Sequence, residues 1–438
     1  MDKKRVAFAT LGCKVNQYES AALAGLFRQR GYEVVDAGEK ADVYVINTCT
    51  VTHLSDRKSR QLIRRMSRTN PEAVIAVTGC YAQVSPEEVS EIPGVALVVG
   101  TRDRGGLVDL VENAAKGRMP LERVSEYTGG EQFEEFAAAS VQGRVRAFLK
   151  IQEGCSNFCT YCIVPHARGP LRSRRPERVM EEARELVGKG FKEIVLTGIH
   201  TGAYGKDLNG GVTLAGLLQR LSAVPGLSRL RLSSVEPNDI TPELVETLSG
   251  MENFCPHLHV PLQSGDDFIL KRMGRRYTAW EYARLAEILR ENLPGLGLTT
   301  DVMVGFPGET GENFDNTLRF VEKVAFSRLH VFKFSPRRGT PAALFEDQVE
   351  PPVKEERSRR LIDAGKKLAA GFASRHLGGE LDVLVEQRCE NSAGLYEGLT
   401  GNYIRVVFPG NENLPGRIVR VKAVDRKGDV IRGEIIIG

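Results

Sequence analysis

Cys155-x3-Cys159-x2-Cys162 is the densest chemical signal in the chain. Three thiolates on one short loop suit three irons of a [4Fe–4S] cluster and leave the fourth iron without a protein ligand. An iron so exposed has room to chelate the amino and carboxylate groups of S-adenosylmethionine and to pass it an electron. Zinc is the competing reading. A structural zinc takes four ligands, commonly with paired Cys-x2-Cys spacing, and only His166 stands close enough in sequence to add one. The loop follows a predicted strand, and parallel β/α folds place their chemistry at strand C-termini, which favours the cluster.

Cys13, Cys49 and Cys80 lie 36 and 31 residues apart, which is no local metal motif. Each nevertheless closes an apolar run: ATLG before Cys13, VINT before Cys49 and AVTG before Cys80. If those runs are parallel strands, the three thiols share the sheet edge where open α/β sheets bind ligands. That placement suits a second three-cysteine cluster. One buried cysteine is usually a small hydrophobe; three at equivalent strand ends favour a ligand set. Cys255 and Cys389 have no matching partners and read as structural thiols.

The elements that must position these thiols follow from the apolar pattern. Residues 4–12, 42–48, 73–79 and 95–100 read as buried strands. Helical patterns at 19–30, 54–69 and 105–116 separate or follow them, so the first domain is an open parallel α/β sheet over 1–116. Residues 117–142, with Gly129-Gly130, an acidic stretch at 131–135 and Ala137-Ala138-Ala139-Ser140, read as a linker. Over 143–372, strand runs at 147–152, 193–197, 229–233, 257–262, 297–304 and 328–334 alternate with helical ones, which predicts a partial (β/α)6 barrel. Residues 350–374 read as a charged helical connection. From 375 to 438, short alternating strands with Gly, Asn and Pro turns predict a small OB-like all-β barrel.

Composition is that of an ordinary globular α/β protein. The 438 residues are 42% hydrophobic and 26% charged, which excludes disordered, collagenous and coiled-coil classes. No apolar run reaches the roughly 18 residues of a membrane span. The first residues lack an apolar signal core and a small-residue cleavage site, so the chain reads as cytoplasmic. There, 8 cysteines are more readily metal or redox groups than disulfides. The balance of 60 Lys+Arg against 56 Asp+Glu leaves only +4, so any nucleic-acid contact must come from local clusters.

One such cluster follows Cys49. Arg57, Arg60, Arg64 and Arg68 fall near one face of a helix, flanked by Lys58 and Arg65. Like charges at that spacing cost helix stability, and phosphate contact is the use that offsets it; a solvated face is the plainer alternative. Arg168, Arg172, Arg174 and Arg175 form a second group, open to a polyanion or to internal carboxylates. In the C-terminal barrel, Arg405, Arg417, Arg420, Lys422, Arg426 and Lys427 lie near Tyr396, Tyr403 and Phe408, which either stack on RNA or fill the core. Polar groups and glycines mark the other barrel strand ends, at Gly198, Ser234, Glu236, Gln263 and Asp301.

Taken together, the chain resembles the methylthiotransferase family of radical S-adenosylmethionine enzymes over essentially its whole length. Cys155, Cys159 and Cys162 match that family's radical motif, and residues 375–438 resemble its TRAM RNA-binding domain. The phrase Asn47-Thr48-Cys49-Thr50-Val51-Thr52-His53 with the following DRKSRQ is most similar to the branch acting on N6-threonylcarbamoyladenosine beside the tRNA anticodon. The resemblance implies two [4Fe–4S] clusters. The one on Cys155, Cys159 and Cys162 cleaves S-adenosylmethionine to a 5′-deoxyadenosyl radical. The auxiliary one on Cys13, Cys49 and Cys80 carries the sulfur that is methylated and transferred to C2 of adenine. Tyr161, Gly198, Ser234, Glu236, Gln263 and Asp301 are then expected around the cofactor. Arg57, Arg60, Arg64, Arg68, Arg405, Arg420 and Lys422 are expected on tRNA, and a flavodoxin- or ferredoxin-like protein as electron donor. The sister substrates, isopentenyladenosine tRNA and a ribosomal-protein aspartate, are the alternatives within the family. A non-catalytic metal-cluster RNA-binding protein is the alternative outside it.

Overall fold

The computed structural model describes residues 3–114, 121–136, 144–390, 394–410 and 413–436. The chain forms two compact units, one of residues 1–141, 150–174 and 335–343 and the other of residues 142–149, 175–334 and 344–438.

The first unit is built on a six-stranded sheet. Its elements are β1 (Arg5–Thr10), α1 (Lys14–Gln29), β2 (Glu33–Val35), β3 (Val43–Thr48), α2 (His53–Thr69), β4 (Val74–Gly79), α3 (Cys80–Val84), α4 (Pro86–Ser90), β5 (Val95–Val99), α5 (Leu107–Ala114) and β6 (Leu121–Arg123). The strand order is β2-β1-β3-β4-β5-β6, and every pairing is parallel. All six residues of β3 are buried, as a central strand covered on both faces requires. Ala7, Tyr44, Ile46, Ile63, Ile75, Val77 and Val98 fill one side of the sheet.

Two expectations change here. The first helix begins at Lys14, immediately after Cys13, and not at Glu19. Its first turns bury Asn16 and Glu19, polar residues whose partners come from elsewhere in the chain. The stretch expected as a linker is structural where it is described. β6 extends the sheet in parallel register, and Glu131, Glu134 and Glu135 pair with Arg102, Arg104 and Arg174. The Ala137–Ser140 run, the remainder of that stretch at 117–120 and 141–142, and the end of the 105–116 helical pattern lie outside the described residues.

The chain continues through β7 (Arg146–Lys150) into a segment that returns to the first unit. This segment holds β8 (Gln152–Glu153), the cysteine loop, α6 (Val164–Arg168) and β9 (Arg172–Ser173), with β8 and β9 antiparallel. The three-cysteine loop therefore belongs to the same compact unit as the N-terminal sheet, not to the one that holds the later barrel strands.

The second unit carries α7 (Pro176–Gly188), β10 (Glu193–Thr197), α8 (Leu214–Ser222), β11 (Arg229–Leu232), α9 (Pro242–Ser249), β12 (His257–His259), α10 (Asp267–Arg272), α11 (Ala279–Asn292), β13 (Gly297–Val304), α12 (Gly311–Val324), β14 (Arg328–Lys333) and α13 (Pro351–Ser374). Two three-stranded sheets, β11-β10-β7 and β12-β13-β14, are joined by parallel bridges Leu230–Phe254 and Ser234–His259. The result is the six-strand partial barrel. Strands β15 (Glu380–Arg388), β16 (Leu395–Thr400), β17 (Arg405–Pro409), β18 (Ile418–Lys427) and β19 (Val430–Ile435) close a second barrel in the order β15-β16-β17-β19-β18, the five-stranded OB-like arrangement.

The small barrel is docked on the N-terminal ends of the parallel strands. Arg229, which opens β11, donates to the carbonyls of Asp382 and Leu399 at 2.7 and 3.0 Å. Arg146, which opens β7, pairs with Glu386 at 2.6 Å. Arg328, which opens β14, pairs with Asp429 at 2.9 Å. Parallel β/α barrels carry their chemistry at the opposite, C-terminal ends of the strands.

Candidate metal centre

In the first unit, Cys13, Cys49 and Cys80 directly follow or nearly follow β1, β3 and β4, three neighbouring parallel strands. Parallel register puts their ends on one edge, and the three thiols are close enough to act on one another electrostatically. Gly12 lets the backbone close in: its φ is +108°, and a Cβ there would meet Cys49 Cβ at 3.0 Å and Asn16 Nδ2 at 2.9 Å. Cys49 is fixed from behind. Ser59 of α2 donates to its carbonyl at 3.2 Å, and Thr50 donates to Asp56 at 2.6 Å. Arg337 bonds both Thr50 and Asp56 at 2.7 Å.

Arg168 lies against this edge, wholly buried. Its Nε donates to Cys80 Sγ at 3.1 Å. One terminal nitrogen, Nη1, bonds Glu19 at 2.6 Å and the other, Nη2, bonds Asn16 Oδ1 at 2.5 Å. Asn16 turns its amide nitrogen to the carbonyls of Leu11 and Thr48, at 2.7 and 3.0 Å, so its oxygen faces Arg168 and the Cys13 thiol. Around Glu19 also gather Lys150 at 2.8 Å and Arg104 at 2.8 Å. Burial alone would push the Glu19 carboxyl up, but the charges of Arg104, Arg168 and Lys150 hold it well below its ordinary range. Glu153 is depressed against its own burial by Lys150 and Arg168. At Cys80, burial dominates and lifts the thiol to about 12, with Arg168 pulling the other way.

The second thiol set, Cys155, Cys159 and Cys162, sits on the loop between β8 and α6. The loop is shaped by Gly154, with φ +74°, where a Cβ would fall 1.8 Å from the carbonyl oxygen of Pro170. Cys155 N–H bonds the carbonyl of Gly169 at 3.0 Å, and the carbonyl of Thr160 accepts from Ala342 N–H at 2.9 Å. Phe158 also has a positive φ, +47°, and is largely exposed. Tyr161 lies on this same loop. All eight cysteines are thiols.

Both sets fit cluster ligation by the chemistry of their donors. Three thiolates on a tight loop, or on one sheet edge beside a buried guanidinium, match the soft, anionic demand of iron–sulfur clusters. Among the described residues, no three His, Cys, Asp or Glu side chains close on a single metal ion.

In the second unit, Gly198, Ser234, Glu236, Gln263 and Asp301 stand at or beyond the C-terminal parts of β10 to β13. Asp301 is 3.3 Å from His259, and Glu236 pairs with Arg275. Gln263 has a φ of +68° and forms a parallel bridge with Val302. Sequence reasoning missed a pair at the same level: His200 bonds Asp239 at 2.5 Å, and Lys206 bonds it at 2.6 Å. A histidine three residues past a strand end was the available signal.

The basic residues divide. On α2, Arg57, Arg64 and Arg68 are exposed, whereas Arg60 donates to Tyr81 at 2.9 Å. Arg168 and Arg174 face internal carboxylates, and Arg172 stacks on Tyr127; only Arg175 of that group is exposed. In the small barrel, Tyr396 and Phe408 are core residues. Arg405 pairs with Glu397, and Arg420 lies 3.7 Å from Glu380. Lys422 is exposed opposite Glu380.

Comparison with known proteins fits this geometry. Residues 149–321 match the family model described as the Radical SAM superfamily, and residues 5–100 match the one described as Uncharacterized protein family UPF0004. Residues 149–321 are thus those of a radical S-adenosylmethionine enzyme. The chain is 50% identical to the threonylcarbamoyladenosine tRNA methylthiotransferase MtaB of Bacillus subtilis, over 95% of this chain and 93% of that one. It is 38% identical to the tRNA-2-methylthio-N(6)-dimethylallyladenosine synthase of Moorella thermoacetica, over 100% and 99%. Among solved structures, the radical S-adenosylmethionine methyltransferase TsrM of Kitasatospora setae aligns with a TM-score of 0.58 at 15% identity, over 90% of this chain and 81% of that one. The chain belongs to the methylthiotransferase family of radical S-adenosylmethionine enzymes. It is a transferase that uses S-adenosylmethionine and [4Fe–4S] clusters. No helix among the described residues is long and apolar enough to cross a membrane.

Proposed function

We propose that this enzyme places a methylthio group on C2 of N6-threonylcarbamoyladenosine in tRNA, beside the anticodon. The observation that carries the reading is the 50% identity to the Bacillus subtilis threonylcarbamoyladenosine enzyme over nearly the whole of both chains; two further enzymes of that name reach 40%, against 38% for the dimethylallyladenosine one. In this reading, Cys155, Cys159 and Cys162 hold the cluster that binds S-adenosylmethionine, and Cys13, Cys49 and Cys80 hold the auxiliary cluster. The reaction runs in the cytoplasm and draws its electrons from a flavodoxin- or ferredoxin-like protein.

When bound, these groups supply one-electron chemistry, which the unactivated C2–H of adenine requires because no acid–base route reaches it. The chain's own residues bind and orient. Arg337, Asp56 and Ser59 hold the backbone at Cys49 and anchor α2 there. With Asp56 spent on Arg337, the exposed Arg57, Arg64 and Arg68 keep their charge for RNA phosphates. Tyr161 on the cysteine loop and Gly198, Ser234, Glu236, Gln263 and Asp301 at the barrel strand ends are the residues this reading assigns to the cofactor, and Arg405, Arg420 and Lys422 offer a second contact with RNA.

Mass spectrometry of tRNA nucleosides from cells with and without the gene tests the proposal. Loss of the 2-methylthio form of threonylcarbamoyladenosine alone is the expected result. Loss of the isopentenyladenosine counterpart instead overturns the substrate and keeps the chemistry.

A further inference from the structure

The buried charge cluster of the first unit contains one group with a geometry of its own. Arg168 lies six residues after Cys162, yet its guanidinium ends on the residues around the other cysteine set. Each of its three nitrogens has an acceptor: Cys80 Sγ on Nε, Glu19 on Nη1 and Asn16 Oδ1 on Nη2, at 3.1, 2.6 and 2.5 Å, and Nη2 also bonds Glu19 at 3.2 Å. Asn16 in turn accepts from the Cys13 thiol at 3.7 Å. One planar fork thus reaches two of the three thiols of the sheet edge, one directly and one through an amide.

Its surroundings make this arrangement rigid. Arg168, Glu19 and Asn16 are essentially inaccessible to solvent. Glu19 is shared with Arg104 and Lys150, and Glu153 lies 3.3 Å from Arg168. A structural role would be met by the carboxylates alone. The Nε–H aimed at sulfur is not needed to neutralise Glu19.

We propose that Arg168 is a positioning residue for the auxiliary cluster: it holds Cys80 and Asn16 in place and sets that cluster's reduction potential by a fixed positive charge and an N–H···S hydrogen bond. The inference rests on Cys13, Cys49 and Cys80 being the ligands of that cluster. A reduced cluster carries one more negative charge than an oxidised one. A guanidinium in contact with a ligand sulfur therefore favours reduction, and hydrogen bonds to sulfur act in the same direction. Lysine cannot replace it in full, because a single ammonium lacks the fork that bonds sulfur, amide and carboxylate together.

The test uses the full chain with Cys155, Cys159 and Cys162 all changed to Ala, reconstituted with iron and sulfide, so that only the auxiliary cluster remains. Iron per chain and an EPR-monitored redox titration are read in this parent and with Arg168→Gln or Arg168→Lys added. The expected result is a cluster in the parent, a shift to more negative potential in Arg168→Gln, and a smaller shift of the same sign in Arg168→Lys. A parent without iron overturns the ligand assignment and the inference with it. Full iron with an unchanged potential in Arg168→Gln overturns the role of Arg168 alone. Should Arg168→Gln fail to fold, Arg168→Lys decides: it keeps the charge at Glu19, and an unchanged potential there overturns the proposal.

Discussion

The Arg231 guanidinium lies over Tyr403, its central carbon 3.7 Å from the ring centroid. The same guanidinium bonds Glu193 at 2.7 Å and the carbonyl of Gly401 at 2.7 Å. Arg231 thereby joins the fully buried Glu193 at the start of β10 to the turn between β16 and β17. Arg231→Met should destabilise the protein by about 3 kcal/mol, because it leaves the buried Glu193 carboxylate only the longer pairs with Arg229 at 3.6 Å and Arg146 at 4.0 Å. Tyr403→Leu removes the ring from Arg231, Arg146 and His257 and the hydroxyl that accepts from Arg146 at 3.1 Å, and should cost about 1–2 kcal/mol. Urea unfolding followed by circular dichroism separates the two.

Glu19, Glu153 and Glu193 all have carboxyls held below their ordinary 4.5. In each, burial works against ionisation and adjoining positive charges overcome it: arginines and Lys150 at Glu19 and Glu153, arginines alone at Glu193. A depressed native pKa means that the unfolded chain binds protons first. The stabilisation is complete above about pH 4.5 and is lost as pH falls through the lower native values. Urea midpoints between pH 7 and pH 4 should therefore drop steepest at the acid end. Glu193→Gln should lower the midpoint at pH 7 and flatten the acid part of the profile.

How much of this was legible in sequence depends on where each side chain finds its partner. The strand ends at Cys13, Cys49 and Cys80 were readable because apolar runs announce buried parallel strands, and the cysteine simply closes each run. The start of α1 was not. Lys14-Val15-Asn16-Gln17 shows no apolar stripe, since Asn16 and Glu19 face a buried guanidinium 152 and 149 residues away and not a hydrophobic core. The acidic stretch at 131–135 failed for the same reason. It reads as solvated linker until Arg102, Arg104 and Arg174 are known to need it. Arg168 reads in sequence as part of a basic group, but direction is a tertiary property: the same sequence serves a polyanion outside or a carboxylate inside.

Gly154→Ala places a Cβ 1.8 Å from the Pro170 carbonyl oxygen at a φ of +74°. The left-handed conformation alone costs an ordinary residue about 1–2 kcal/mol, and the collision forces Cys155 off its bond to Gly169. Iron content should fall toward that of the auxiliary cluster alone. Formation of 5′-deoxyadenosine should drop about a hundredfold, the penalty for misplacing a reactive group by an ångström. An unchanged iron count with full turnover would show that the loop tolerates a shift this site should not.

The basic residues make the last prediction, because the structure ranks residues that the sequence left equal. Arg64 and Arg68 are exposed on α2, and the helix's first-turn acid, Asp56, is committed to Arg337. Arg405 and Arg420 face Glu397 and Glu380, so neutralising a phosphate there first requires giving up a carboxylate. Counterion release makes the slope of log affinity against log salt a count of phosphates contacted. Arg64→Ala and Arg68→Ala should each flatten that slope for tRNA by about 0.7–0.9. Arg405→Ala should flatten it less. Arg60→Ala should act chiefly on stability, since Arg60 is bonded to Tyr81. Filter binding over a salt series, with each variant's folding checked by circular dichroism, gives the ranking. Equal slopes for the α2 variants and the parent would mean that this helix face does not touch RNA and that its charge is merely solvated.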